Sequence, residues 1–189
     1  LHLLLRLPFH LFVYTGGHVG AQPQCRAPPE RPGDAGRDRR PLRAETPVEL
    51  GGDLIVIPIS VPHRDEFSET VGYKILGAKK SALFIPDIDK WNLWQKDIVT
   101  EVKSVDYAFI DGTFYEDGEI NRPIHEVPHP FISETISLFK NEPLSVKQKI
   151  YFIHLNHTNP AHNKTSKQRI ALEKQGFHFA ILGAQFVLN

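Results

Sequence analysis

From residue 51 onward, short apolar runs rich in β-branched residues alternate with amphipathic stretches, and most of the apolar runs stop abruptly at a polar cluster. That rhythm restricts the chain to an α/β class, because the apolar runs make buried strands while stretches with an apolar stripe make helices. Strands are expected over Asp53–Val61, Thr70–Leu76, Ser81–Pro86, Val105–Ile110 and Ile150–His154, with Gly77-Ala78-Lys79-Lys80 as a hairpin turn. Trp91, Trp94, Ile98 and Val102 share one face, which predicts a helix over Trp91–Lys103. Further helices are expected from Pro130 to Phe139 and over Ser166–Gln175, the second closed by Gly176. Phe177–Ile181 and Gln185–Leu188 are expected to form a final hairpin.

Upstream of this region the composition differs in kind. Seven arginines and no lysine precede residue 51, whereas twelve lysines and three arginines follow it. Residues 21–48 are rich in Pro, Gly and Arg and carry too little apolar surface to offset the entropy of ordering. Residues 1–50 are therefore expected to be a disordered or non-native segment, and residues 51–189 a partial domain. The switch from arginine to lysine and the lack of any methionine read as a fragment carrying a foreign N-terminal joint. Leu1–Tyr14 is apolar, but Arg6, Pro8 and His10 interrupt it, which argues against a secretion signal. No apolar run reaches the length of a membrane span. Twenty-two basic residues balance twenty-two acidic ones, so no global field draws the chain to nucleic acid or a membrane surface. Cys25 is the one cysteine, which fits a reducing, cytoplasmic compartment.

The polar clusters lie where an α/β fold places its functional loops: VPHRDEFSETVGY, FIPDID, FIDGTFY and FIHLNHTNP each follow an expected strand. Taken singly, a strand-end histidine such as His63 is most often only hydrogen-bonded, and Asp87 suits an Asx turn. His154 is more telling, because it ends a strongly apolar strand and would be costly to bury without a partner. Together His63, Asp87 and His154 form a nitrogen and oxygen donor set suited to zinc, manganese or iron, with a carboxylate able to bridge two ions. Lys79-Lys80 and the group Lys164, Lys167 and Arg169 read as a turn and a solvated helix face. His125, His157, His162 and His178 read as structural or surface residues, His157 adjoining the candidate site.

The motifs VPHRDEFSETVGYKI, ALFIPDID, DGTFY, HPFISET and HLNHTNP, in this order, resemble metallo-β-lactamase-fold proteins, most closely the branch containing pyrroloquinoline quinone biosynthesis protein B. The resemblance covers nearly all of residues 51–189 and implies the C-terminal half of a four-layered αββα sandwich. It implies that His63 is the third-motif metal histidine, Asp87 the bridging aspartate and His154 the last metal histidine. It also implies an acid/base pair at Asp111 and His129, where phosphodiesterase relatives carry a glutamate-containing motif. The first metal motif of the superfamily, HxHxDH, has no match in these 189 residues. His18 has no companion two residues away, and His2 and His10 are too widely spaced.

The function expected from the resemblance is metal-dependent hydrolysis of a phosphodiester, ester or lactone, with zinc as the first choice of divalent metal and iron or manganese as alternatives. A second expectation, from the quinone-biosynthesis branch, is iron-dependent oxidation of a tyrosine-derived precursor. A third is an inactive fragment or interaction module whose apolar sheet face is open to a partner, a second copy of the chain included. The partner expected for the enzyme readings is a small-molecule or phosphodiester substrate; balanced charge gives no support for nucleic acid, and no membrane partner is expected.

Overall fold

The computed structural model of the chain describes residues 43–64, 69–123 and 126–188. The expectations for residues 1–42, including their disorder and the site of Cys25, and the reading of His125 lie outside the described residues. The strands are β1 (Val48–Gly51), β2 (Leu54–Ser60), β3 (Val71–Leu76), β4 (Ser81–Ile85), β5 (Tyr107–Asp111), β6 (Ile150–Ile153) and β7 (His178–Phe179). Among the described residues they form one sheet in which spatial order follows sequence order. Pairings from β1 to β4 are antiparallel, and those from β4 to β7 are parallel. Because β2 and β4 both run against β3, β2 points the same way as β4, β5 and β6. The carboxyl ends of those four strands therefore share one edge of the sheet.

The helices are α1 (Ile98–Lys103), α2 (Ile132–Leu138), α3 (Leu144–Lys147) and α4 (Lys167–Lys174). Their apolar residues Ile98, Val102, Ile132, Val146 and Leu172 join one core with sheet residues such as Ile85, Ile110 and Phe152. Each large side chain withdrawn fully from water there contributes roughly 1.5–3 kcal/mol. The opposite face carries a second cluster, in which Tyr73, Ile75, Ala82, Phe109, Ile153 and Leu188 are buried. Val56, Val71, Phe84, Tyr107, Tyr151 and Phe186 on that side are only partly buried. Helices on one face of a mixed sheet, and an apolar second face, are the α/β half of the expected sandwich.

Two expected elements differ. The single helix over Trp91–Lys103 is instead a 3-10 turn, Trp91–Leu93, followed by α1. Asp97 breaks it, because its Oδ2 accepts from the Thr100 amide at 2.8 Å and the Thr100 hydroxyl at 2.6 Å, capping a new helix. Trp91, Trp94, Ile98 and Val102 nevertheless all reach the same core. The final hairpin does not form: β7 pairs in parallel with β6, and residues 185–188 cross instead to the β3–β4 turn. There the Leu188 carbonyl accepts from the amides of Lys79 and Lys80, both at 3.1 Å. Gly77 permits the approach, since a Cβ at that position would lie 2.3 Å from the Leu188 oxygen. Strand β1 and helix α3 have no counterpart among the expected elements. No helix of the described residues is long and apolar enough to cross a membrane.

Candidate metal centre

Asp111 is the last residue of β5, and it has no exposed surface. Its Oδ1 accepts from the Thr113 amide at 2.8 Å and the Thr113 hydroxyl at 2.6 Å. Its Oδ2 accepts from the Ile88 amide at 3.3 Å and lies 2.9 Å from Nδ1 of His129. With so many donors, this carboxylate is an organiser of its neighbours. His129 stands on the connection to α2, which is anchored by Val127 and Phe131 packed on Phe114 and by a bridge between Phe114 and Phe131. Burial alone would lower the pKa of His129, but the hydrogen bond to Asp111 and the charges of Asp111, Asp87 and Asp89 outweigh it and raise the value above 6.5.

Asp87 follows β4 and is surrounded differently. Its Oδ1 lies 3.2 Å from Nε2 of His63 and 3.3 Å from Nδ1 of His129, yet it is buried and makes no hydrogen bond among the described residues. The contacts are close enough for charge attraction and misaligned for hydrogen bonding. His63, delivered from the end of β2, also keeps a buried Nδ1 without a partner among the described residues. His154 directly follows β6 with φ of 60°, a left-handed conformation uncommon outside glycine, and its Nδ1 lies 3.1 Å from the Thr113 hydroxyl.

One donor atom from each of Asp87, Asp111, His129 and His154 lies within 4.8 Å of the others. The expected metal set was His63, Asp87 and His154, with Asp111 and His129 as the acid/base pair. The fold gathers both groups at one edge: the acid/base pair joins Asp87 and His154 in the tight cluster, and His63 adjoins it through Asp87. A buried carboxylate oxygen with no donor is costly unless a cation meets it, so the residues present fit a divalent ion. His157 is exposed, and its Nδ1 lies 3.0 Å from Oδ1 of its neighbour Asn156.

Two residues that sequence reading did not single out hold the cluster together. Asn159, 2% exposed, donates from Nδ2 to the carbonyls of Gly112 at 2.8 Å and Thr113 at 3.2 Å, while its Oδ1 accepts from the Ala161 amide. The loop bearing His154 is thereby laced to the loop bearing Asp111. Thr113 touches both Asp111 and His154. Each lay inside a quoted motif, DGTFY or HLNHTNP, which was the available signal. Beside the cluster opens a cleft of about 180 Å³ whose lining includes His63, Arg64, Phe114, Ile120, Arg122 and His129.

Residues 6–172 match the family model described as the beta-lactamase superfamily domain. The chain belongs to the beta-lactamase superfamily. Within the superfamily it is similar to coenzyme PQQ synthesis protein B of Cupriavidus necator, 26% identical over 67% of this chain and 43% of that protein. The same protein of Nitrosococcus oceani is 27% identical over 76% of this chain and 48% of its own length. The chain thus spans about half the length of these curated relatives. Among solved structures, Zn(2+)-bound PqqB from Methylobacterium extorquens superposes with a TM-score of 0.61 at 20% identity, over 78% of this chain and 55% of that one. The metallo-beta-lactamase fold protein YhfI from Bacillus subtilis gives 0.56 at 13% identity over the same shares. Both likenesses concern the fold.

Proposed function

We propose that the cluster belongs to a metal-dependent hydrolytic centre in which His63, Asp87 and His154 hold a divalent ion and the Asp111–His129 pair handles a proton. The observation that carries this reading is the buried Oδ1 of Asp87, which lacks a hydrogen bond among the described residues and faces two imidazoles. A bound divalent ion would supply Lewis acidity and a water of lowered pKa. Asp111 holds His129 in place, and the raised pKa of His129 suits a group that delivers a proton to a leaving oxygen near neutral pH. Arg64 and Arg122, exposed at the rim of the adjoining cleft, favour an anionic phosphodiester over a neutral ester or lactone. Zinc is the metal proposed first, and the same donors serve iron and manganese.

The test is metal quantification on the chain after dialysis against zinc, with phosphodiester turnover measured on the same protein and on its Asp87→Ala variant. Bound zinc lost in the variant supports the reading; zinc retained equally by both, or none bound by either, sinks it. A second reading, iron-dependent oxidation, is favoured by relatives that carry the name coenzyme PQQ synthesis protein B. Anaerobic purification separates the two, since zinc taken in preference to iron counts against oxidation. The third reading, an inactive chain that docks on a partner or a second copy, rests on the half-buried aromatic face. Its signature is a self-associating chain in sedimentation that shows no turnover. A cytoplasmic location belongs to the proposal through the lone Cys25 and is checked by fractionation.

A further inference from the structure

We propose that Thr113 is a positioning residue that fixes the tautomer and orientation of His154 by relaying the charge of Asp111 to it. The hydroxyl of Thr113 owns one proton. Oδ1 of the Asp111 carboxylate, 2.6 Å away, can only accept, so the proton points there. Toward Nδ1 of His154, 3.1 Å away, the hydroxyl oxygen can then only accept, and Nδ1 must carry the ring proton. The lone pair is left on Nε2, the nitrogen available to a metal. Unconstrained neutral imidazole carries its proton mainly on Nε2, so the relay reverses the intrinsic preference.

The same buried carboxylate imposes Nδ1–H on His129 directly, through its other oxygen. One aspartate therefore sets two imidazoles alike, one by contact and one through a hydroxyl. Water cannot easily intrude, because Asp111 is fully buried and Thr113 is 7% exposed. The geometry is also fastened on both sides. The Gly112 amide donates to the Ile153 carbonyl at 3.0 Å, the Asn156 amide donates to the Thr113 carbonyl at 2.9 Å, and Asn159 bonds both carbonyls of the 112–113 pair. This lacing keeps His154 at its left-handed φ, where a non-glycine residue stays only if its surroundings hold it.

The affinity consequence rests on the metal reading proposed above, whereas the tautomer does not. The experiment uses the full chain, metal-free and with 15N-labelled histidine, above the pH at which its imidazoles are protonated. Long-range 1H–15N correlation spectra report which nitrogen of His154 bears the proton in the wild type, Thr113→Val and Thr113→Ser. Zinc affinity of each is measured against a competing chelator. The expected result is Nδ1–H in the wild type and in Thr113→Ser, a shift toward Nε2–H in Thr113→Val, and zinc affinity lowered about 10 to 100-fold in Thr113→Val alone. Nε2–H on His154 in the wild type overturns the proposal, as does a Thr113→Val chain with unchanged tautomer, or a Thr113→Ser chain that behaves like Thr113→Val. The wild-type spectrum needs no substitution and decides even where Thr113→Val fails to fold. If zinc binds no variant, the metal reading fails while the tautomer still tests the relay.

Discussion

Nδ1 of His129 lies 2.9 Å from Oδ2 of Asp111, a carboxylate with no exposed surface, and the pair holds the histidine's pKa above its ordinary 6.5. A group whose pKa is raised by folding contributes stability that is fully present below its unfolded value and lost as the pH climbs through its folded one. The metal-free chain is therefore expected to lose stability as the pH rises from 6.5 through the raised His129 value. Asp111→Asn should flatten that slope. Urea melts at a series of pH values check it, and a wild-type stability that holds level or rises across the window contradicts the assignment.

Asp87 should show opposite signs with and without metal. Its Oδ1 is buried and lacks a donor, so Asp87→Asn in the metal-free chain, at a pH where the histidines are neutral, is expected to be neutral or stabilising by about 1 kcal/mol. The thermal shift produced by zinc should vanish in the same variant. Melting curves with and without zinc read both, and a destabilised metal-free variant that keeps its zinc shift excludes this role.

On the other face of the sheet the hydroxyl of Tyr73 is buried without a partner among the described residues, and burial pushes its pKa up to about 12. Removing an unsatisfied buried hydroxyl while keeping the ring should cost nothing. Tyr73→Phe is expected to raise stability by about 1 kcal/mol in denaturant melts. A loss of similar size would mean that the hydroxyl does have a donor or acceptor.

Gly77 lies under the last residues of the chain, and a Cβ there would sit 2.6 Å from the Leu188 Cβ as well as against its carbonyl. Gly77→Ala should dislodge residues 186–188 and uncover the aromatic cluster beneath, at a cost of roughly 1–3 kcal/mol. Increased binding of a hydrophobic dye together with a lowered melting temperature is the expected readout. Wild-type values for both would show that the segment does not seal this face.

The sheet edge and the residues on it were legible because each polar cluster terminates an apolar run, and a buried strand delivers whatever follows it to a fixed place. Asp87 and His154 are of this kind. The split at Asp97 was not legible from the stripe, since Trp91, Trp94, Ile98 and Val102 keep one face toward the core whether or not the helix is continuous. What decided it was a local cap competing with periodicity. The course of residues 185–188 depends on a gap left by Gly77 more than a hundred positions earlier, which no local pattern encodes. Thr113 and Asn159 escaped for a related reason: each has a partner two positions away, but the contacts that lace the cluster, to His154 and to the Gly112 carbonyl, reach 41 and 47 positions along the chain, and a hydroxyl or amide gives no sign of which distant group it will meet. That Asp111 spends its oxygens on internal donors, while Asp87 does not, is likewise visible only in three dimensions.

The strands lie across the sheet in the order in which they occur along the chain; His63, Asp87 and His154 follow three of them, and Asp111 ends a fourth. An ion held by these residues would act as a clasp from β2 to β6, so its escape and the melting of the central sheet would be one cooperative event. Fraying of β1 or β7 at the margins would pass unnoticed by it. Ion release would then report on the integrity of the middle of the molecule and be silent about its edges.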